Sequence, residues 1–298
     1  MGPRTGEADL ANGGSSSEPE SDPESNSNSN SDSPSYNWRE EAINGGSLRH
    51  VDLEKGSNGW ASPPGDLFHL RAKGYFSRRK KAPSGEWLLL PAGVDWLRSP
   101  ARVDHVLARS DNRVAAALRR ANRLGVAKKG SFIFAVNLQV PARPDAYSAV
   151  FYFASEEPIQ PDSLLHKFIY GDDAFRNSRF KLVNRIVKGP WLVKAAVGNY
   201  AACLLGKALP CKYYRGEDYL EIDVDIGTSA IASAILSLAL GCVTAVTIDM
   251  GFVVESQQEE ELPEQLIGAV RIAQMEMKSA CFVPVVPAPD PADWSAAG

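Results

Sequence analysis

Three acidic side chains that alternate with apolar ones are the densest group of residues that could do chemistry. Glu221, Asp223 and Asp225 share one face of a predicted strand. Carboxylates that converge from several elements can hold a cation. A row on one strand is more typical of a solvated face that pairs with bases on a neighbouring strand, and we predict Lys181 and Arg185 as those partners. The pattern therefore predicts no metal site.

Motifs of the common catalytic sites are missing from the sequence. It has no G-x-S-x-G elbow, P-loop, G-x-G-x-x-G or H-E-x-x-H pattern. The four histidines and four cysteines lack the spacing of metal ligands. We predict a non-catalytic protein that needs no cofactor.

Two basic segments are candidates for contact with an anionic surface. The first is a run of four bases in a predicted turn. The second is a predicted amphipathic helix over 102–124, whose polar side is rich in arginine. A solvated loop and an ordinary surface helix are the alternatives, and no nucleic acid partner is expected. The candidate residues are Arg78, Arg79, Lys80, Lys81, Arg102, Arg109, Arg113, Arg120 and Arg123.

Aromatic residues on predicted strands are candidates for a ligand cavity. Residues 131–140 alternate apolar and polar side chains, and the aromatic segment 147–154 fits a second strand. Together they predict an antiparallel hairpin. Their aromatic side chains either fill a core or line a cavity, and the sequence leaves both open. The candidates are Phe132, Phe134, Phe151, Phe153 and Trp191.

Residues 228–248 contain no charge, which raises the question of a membrane span. Ser and Thr residues near the start and a glycine inside the run are unfavourable for a span. The flanking segments also have the patterns of strands. We predict a buried helix from Ser229 followed by a strand over 245–255.

The order of elements predicts an α+β fold. We expect a curved, mostly antiparallel sheet, with 191–197 as one of its strands, a buried helix, and a C-terminal amphipathic helix that begins at Pro263. The predicted domain covers 59–280. It lies between a disordered, acidic, Ser-rich tail (1–58) and a Pro-rich disordered tail (281–298). Ser17 and Ser21 each precede an acid by three residues, a context that suits an acid-directed kinase.

Six sequence blocks resemble the plant enhanced-disease-resistance-2 C-terminal domain family, a domain of unknown function. The similarity runs from about Trp60 to about Met275, with Arg271 after the last block. The blocks are FAVNLQVP (134–141), FIYGDDAFRNSRFK (168–181), IVKGPWLVKAAVG (186–198), LGKALPC (205–211), YLEIDVDIG (219–227) and ELPEQLIG (261–268).

The resemblance implies a setting in the restraint of plant cell death and defence, and family members are not known as enzymes. Larger members carry a pleckstrin-homology domain and a START lipid-transfer domain ahead of this one. We expect a standalone member that lacks both. The order of elements also resembles a START (helix-grip) fold, in which a sheet encloses a lipid.

These observations lead to two main hypotheses. The first is a module that binds a lipid or other hydrophobic ligand, with docking on an anionic membrane. The second is a protein-interaction module, with an unknown partner, that is regulated by phosphorylation of its acidic tail. A cytoplasmic location follows from the absence of a signal peptide, with peripheral membrane association under the first hypothesis.

Overall fold

A computed structural model of the chain describes residues 36–198 and 200–285. It contains eight α-helices within those residues. They are α1 (Trp38–Asn44), α2 (Tyr75–Arg78), α3 (Arg113–Arg123), α4 (Leu164–Tyr170), α5 (Asp173–Arg179), α6 (Trp191–Val197), α7 (Leu205–Ala208) and α8 (Ala230–Gly241).

Most of the described chain lies in strands. They are β1 (Arg49–His50), β2 (Gly59–Ala61), β3 (His69–Arg71), β4 (Lys81–Pro83), β5 (Leu90–Ser99), β6 (Phe132–Val140), β7 (Ala146–Ser155), β8 (Phe180–Lys188), β9 (Tyr200–Leu204), β10 (Cys211–Arg215), β11 (Tyr219–Asp225), β12 (Thr247–Val254), β13 (Leu266–Ala273) and β14 (Cys281–Phe282).

Two six-stranded sheets form the body of the domain. Sheet I has the order β1-β2-β13-β12-β8-β9, and sheet II has the order β10-β11-β6-β7-β5-β14. A separate two-stranded ribbon joins β3 to β4. Most neighbours are antiparallel, whereas β1/β2, β11/β6 and β14/β5 are parallel. The structure therefore confirms an α+β fold with mostly antiparallel pairing, built on two large sheets rather than one.

The main core lies between the two sheets. Phe151 and Phe153 of sheet II each pack against Phe252 of sheet I, with ring centroids 5.7 Å apart. Phe252 also stacks on Phe180 of β8. Gly268 of β13 lies so close to Phe153 that a Cβ atom there would collide with the ring. Absence of a side chain at this position lets the two sheets approach each other.

A helical layer covers the outer face of sheet II. Val114 and Leu118 of α3 pack with Ile133 and Tyr152 of the sheet, and α1 adds Trp38 to the same cluster. Strand β6 is consequently buried on both faces. This explains why its sequence, FIFAVNLQV, is nearly continuous in apolar residues rather than strictly alternating.

The structure confirms several predicted elements. Strands β6 and β7 form the expected antiparallel hairpin, with Phe134 opposite Phe153. Residues 180–188 and 247–254 are strands, and a helix lies between 230 and 241. These segments combine a consistent hydrophobic period with clear turn residues at their ends, which is why their type could be read locally.

Two predicted element types are wrong. Residues 191–197 are a helix, because Pro190 precedes the first turn and Gly198 at φ 85° ends it. Residues 266–273 are a strand in the interior of sheet I, not a C-terminal amphipathic helix, and all eight residues are buried. Its apolar residues fit either period, and pairing with β12 and β2 decides the outcome.

The predicted helix over 102–124 begins eleven residues late, at Arg113. Asn112 caps it by accepting a hydrogen bond from the Ala115 N–H at 2.9 Å. The segment before it is mainly a loop with a short 3-10 turn at Val106–Ala108. Backbone N–H groups of this loop donate to carboxylates of β11 instead of helical carbonyls, as described below.

Helix α8 forms where predicted but is not buried. No residue of α8 is fully shielded from solvent. Residues 36–58, expected to be disordered, contain α1 and β1. Trp38 and Ala42 of α1 are buried against sheet II and α3, which offsets the entropy of ordering this segment. Residues 1–35 of the predicted acidic tail, with Ser17 and Ser21, and residues 286–298 of the predicted Pro-rich tail lie outside the described residues. The predicted disorder of the latter tail from residue 281 is wrong for Cys281 and Phe282, which form β14 by pairing with β5.

Candidate functional site: an apolar cavity beneath an exposed helix pair

A cavity of about 160 Å³ lies between the two sheets at the end where β6, β8 and β13 finish. With the exception of Asp95, all its lining residues are apolar. Sheet II contributes Val94, Trp96, Leu138, Val140, Ala149 and Phe151; sheet I contributes Ile186, Ile248, Met250 and Ile272; helices and loops contribute Leu48, Val193, Ile226, Leu236, Ala239, Leu240, Val243, Val246 and Met275.

Helix α8 forms one wall of the cavity. Ser229 caps its start by accepting a hydrogen bond from the Ala232 N–H at 3.2 Å. Leu236, Ala239 and Leu240 line the cavity from the inner side of the helix. One face of α8 thus contacts the space between the sheets, and the opposite face is exposed.

Helix α6 packs beside α8. Val193 of α6 is buried against Leu238 and Cys242 at the end of α8. Trp191 and Leu192, at the start of α6, are exposed. The helix pair therefore places apolar side chains both in the cavity and at the protein surface.

Trp96 is the tryptophan of the cavity wall. Its ring stacks on Tyr147 with centroids 5.0 Å apart, and the side chain is buried. The indole N–H has no hydrogen-bond partner in the described part of the chain. The adjacent Asp95 carboxylate accepts instead from the Ser47 N–H at 2.8 Å and from Arg113 Nε at 3.1 Å. The indole nitrogens of Trp60 and Trp87 are likewise buried without a partner in the described residues, so this feature is not specific to the cavity.

The five aromatic candidates lie in three different environments. Phe151 lines the cavity. Phe132, Phe134 and Phe153 belong to the packed core, where Phe134 contacts Phe168 at a centroid distance of 6.3 Å. Trp191 is on the outer surface of α6 and is 77% exposed. The cavity wall is mostly aliphatic, and the sequence pattern of the strands alone did not identify it.

The acidic face of β11 is buried beneath the loop that precedes α3. Both oxygens of Glu221 accept backbone hydrogen bonds, from Val106 at 2.6 Å and from Leu107 at 2.8 Å. Asp223 accepts from the His105 N–H at 2.9 Å and from the Asn137 amide at 3.0 Å. The predicted solvated face is thus wrong for these two residues, because the loop supplies the donors that water would otherwise provide.

Burial changes the acidity of this pair. Removal of water, followed by the neighbouring charge of Asp223, raises the pKa of Glu221 to about 9. Burial likewise raises the pKa of Asp223 above its ordinary value. The arrangement retains a proton between the two carboxyls and holds the loop. It has no open position for a substrate, so we interpret it as structural.

Lys181 and Arg185 bind acids of their own sheet rather than β11. Lys181 contacts Glu264 and lies 3.4 Å from Glu255. Arg185 lies 2.6 Å from the buried Asp249, which also pairs with Arg271. The predicted cross-strand partners of the β11 acids are therefore wrong, because β8 and β11 belong to different sheets.

Four of the five candidate arginines of the second basic segment form ion pairs with carboxylates. Asp104 and Asp111 lie within the segment, whereas Asp95, Asp225 and Glu41 come from other parts of the sequence. The pairs are Arg102 with Asp104 and Asp225, Arg109 with Asp111, Arg113 with Asp95, and Arg120 with Glu41. Arg123 is exposed and has no carboxylate within 4.0 Å among the described residues.

The first basic segment forms an exposed turn between α2 and β4. Arg78, Arg79, Lys80 and Lys81 are all exposed, and Arg79 adopts a left-handed conformation at φ 54°. Arg79 also lies over the Tyr75 ring at 5.7 Å. Within residues 36–198 and 200–285, none of these four bases has a carboxylate within ion-pair distance. Their charge is available to solvent.

The described ranges contain neither a cluster of metal ligands nor a helix that could span a membrane. No three His, Cys, Asp or Glu side chains there lie close enough to hold a metal ion. No helix in the same ranges combines the length and hydropathy needed to cross a bilayer. Helix α8, at twelve residues, is the part of the uncharged run that is helical.

The residues of α8 that line the cavity were not identified individually from the sequence. The uncharged run over 228–248 was a signal that this segment is unusual. It did not show which side of the helix meets the core, because apolar residues lie on every side. No local signal distinguished Trp96 from other buried tryptophans.

Comparison with known proteins places the chain in a family. A family model described as "Protein ENHANCED DISEASE RESISTANCE 2, C-terminal" matches residues 60–276. A curated protein of Arabidopsis thaliana, described as "Protein ENHANCED DISEASE RESISTANCE 2-like", is 44% identical over 235 residues. The match covers 79% of this chain and 31% of that relative. No solved structure is a significant match, so the START-like architecture stays a prediction.

Proposed function

The chain belongs to the ENHANCED DISEASE RESISTANCE 2 C-terminal family, and we propose that it is a non-catalytic module that binds an apolar ligand. The observation that supports this proposal is the cavity of about 160 Å³ between the sheets, lined almost entirely by aliphatic and aromatic side chains. Concave sites with such linings are typical of binding sites for hydrophobic molecules.

The volume limits what can enter the cavity in this conformation. An apolar cavity of about 150 Å³ accommodates a benzene ring, whereas sites for drug-sized ligands measure about 300–1,000 Å³. The present cavity therefore suits one ring or the end of one hydrocarbon chain. We propose a lipid-like ligand, such as a fatty acid, whose terminal segment occupies the cavity.

Among the described residues, the lining offers no free polar group that would select a particular headgroup, because the indole nitrogen of Trp96 is shielded from the space that a ligand could occupy. A catalytic role has less support. Asp95 is the charged residue among the lining residues, and its carboxylate is already bonded to Arg113 and the backbone of Ser47.

The family name supports a role in plant disease resistance, and we propose that ligand uptake serves such a role. The matched relative is much longer than the aligned region. Binding by this module would then report on, or deliver, a hydrophobic molecule within a defence pathway.

Native mass spectrometry of the purified full chain, followed by titration with a fluorescent fatty acid, tests the proposal. We expect a retained adduct or saturable binding with displacement by unlabelled fatty acid. Ala239→Leu fills the cavity from the inner side of α8 and should weaken binding by about tenfold or more. Ala234→Leu makes the same change on the exposed side of the same helix and is the matched control.

Two results would contradict this function. One is the absence of both adduct and saturable binding in the folded chain. The other is equal affinity in the two leucine variants. Circular dichroism and thermal unfolding of both variants separate loss of binding from loss of fold.

A further inference from the structure

The outer faces of α6 and α8 form an apolar surface that the described part of the chain does not cover. Trp191 is 77% exposed, Ile231 is 76% exposed and Leu192 is 47% exposed. Helix α6 packs through Val193 against the end of α8, near Leu238 and Cys242. Trp191 and Leu192 are adjacent on α6, and Ile231 lies about two turns before Leu238 on α8, so the exposed apolar side chains are distributed over both helices. Exposed apolar area of this kind marks an interaction surface.

The segments that carry this surface contain cations and no acid. Residues 228–248 carry no charge, and no Asp or Glu occurs from 174 to 216. Lys188 precedes α6 and is exposed, and Lys194 lies within the helix. The apolar surface is therefore accompanied by cations and by no acid of its own segments.

We propose that the α6–α8 surface docks on an anionic lipid bilayer. Tryptophan is favoured at the boundary between headgroups and hydrocarbon, and lysines beside it can bind lipid phosphates. Trp191, Leu192 and Ile231 would enter the upper hydrocarbon region, with Lys188 and Lys194 at headgroup level. This is the arrangement of interfacial helices that lie on a membrane without crossing it.

The small size of most exposed side chains of α8 favours a bilayer over a protein partner. Apart from Ile231, the exposed residues of this helix are small: Ala230, Ala234, Ser237 and Gly241. Protein interfaces depend on a few large anchors that fill complementary pockets, and a smooth face offers few of them. A fluid hydrocarbon phase requires no complementary shape and accepts such a face.

The position of α8 connects this surface to the cavity, but docking does not depend on it. The same helix contacts the proposed bilayer on one side and lines the cavity with Leu236 and Leu240 on the other. A lipid chain that leaves the bilayer would have to pass beside one helix only. Docking can nevertheless occur with the cavity empty, so each proposal can fail alone.

Flotation of the full chain with vesicles tests the docking surface. The vesicles contain phosphatidylcholine with about one third phosphatidylserine, at low ionic strength. We expect the wild-type chain to float and a Trp191→Glu/Ile231→Glu variant to bind at least about tenfold more weakly. Leu124→Glu, at an exposed apolar residue that ends α3, is the matched control and should bind as the wild type does.

Lysine variants and quenching locate the contact. Lys188→Gln/Lys194→Gln should lower affinity for the anionic vesicles by about fivefold per lysine, and little for pure phosphatidylcholine. Brominated phospholipids should quench tryptophan fluorescence in the wild type more than in Trp191→Phe. The other described tryptophans are shielded relative to Trp191, so the difference reports its insertion.

Several outcomes would overturn the proposal. They are absence of wild-type binding at low salt, unchanged binding in the glutamate variant, and equal quenching in Trp191→Phe. A loss of binding only when Arg78, Arg79, Lys80 and Lys81 are changed to Gln would move the contact to the basic turn. If light scattering shows a dimer that the glutamate substitutions dissociate while vesicles remain unbound, the surface instead binds a second copy of this chain.

Discussion

Strand β11 and helix α8 follow one another in the chain but differ in which side chains they bury: the strand buries acids, and the helix exposes apolar residues. Strand β11 (219–225) buries Glu221 and Asp223, both almost completely shielded from solvent. Helix α8 (230–241), a few residues later, exposes Ile231 and lacks any charge. Ordinary patterning would expose the acids and bury the aliphatic helix.

The two segments differ in whether the rest of the chain supplies contacts to these side chains. The buried acids receive backbone and amide donors from the same chain, within 2.6–3.0 Å. Their cost of burial is thus offset inside the domain. The exposed face of α8 has no such internal partner in the described residues, and the bilayer proposed above would be its partner. The buried acids are thus explained by the architecture of the domain, and the exposed apolar helix is the basis of the docking proposal.

The largest expected effect comes from removal of the β11 acid that holds the loop. Glu221→Ala leaves the N–H groups of Val106 and Leu107 without acceptors and should lower the free energy of unfolding by about 2–4 kcal/mol. Asp225→Ala is the matched control on the same strand, since its partner Arg102 is partly exposed, and should cost under about 1 kcal/mol. Urea unfolding measures both. Equal losses would show that the two acids do not differ as described.

The same buried acid makes stability depend on pH. Between the ordinary pKa of 4.5 and the raised pKa of about 9, the folded chain holds a proton on Glu221 that the unfolded chain has released. The stabilising contribution is complete below the unfolded pKa and is lost as pH rises through the folded one. This group alone contributes a slope of up to about 1.4 kcal/mol per pH unit.

Glu221→Gln cannot titrate and tests this contribution. It should be less stable than the wild type in acid, because an amide N–H₂ faces a backbone donor. Its stability should also fall less between about pH 6 and about pH 8. A parallel decline of wild type and variant across this range would place the titration elsewhere.

The smallest expected effect is on the exposed helix. Ile231→Ser should change the free energy of unfolding by no more than about 0.5 kcal/mol, because the side chain makes few contacts to lose. Thermal unfolding measures this. A loss of more than about 2 kcal/mol would mean that Ile231 is packed against the protein, and the contrast between the two segments would disappear.

Much of the fold could be predicted where a segment's own pattern decides its structure. Strands β6 and β7 are rich in β-branched and aromatic residues with turn residues between them, and Ser229 with the following apolar residues indicates the start of α8. The family resemblance also predicted the matched region accurately. Each of these signals is local, or repeats across family members.

The rest depends on partners that are distant in sequence. Helix α3 begins late because acids more than 110 residues away take the N–H groups of the preceding loop. Strand β13 has apolar residues that suit a helix equally well, and sheet I selects the strand. The cavity arises where two sheets diverge beneath α8, and periodicity carries no information on the gap between layers.

The parallel pairing of β11 with β6 has a consequence for how the chain is made. Phe134 of β6 lies beside Leu220 of β11. Strand β11, one of the two neighbours of β6 in sheet II, is therefore synthesised more than eighty residues after it. Strand β2 likewise cannot pair with β13 until that later strand has been synthesised. A nascent chain that stops short of residue 273 cannot complete either sheet, and its bare strand edges invite aggregation or chaperone capture on the ribosome.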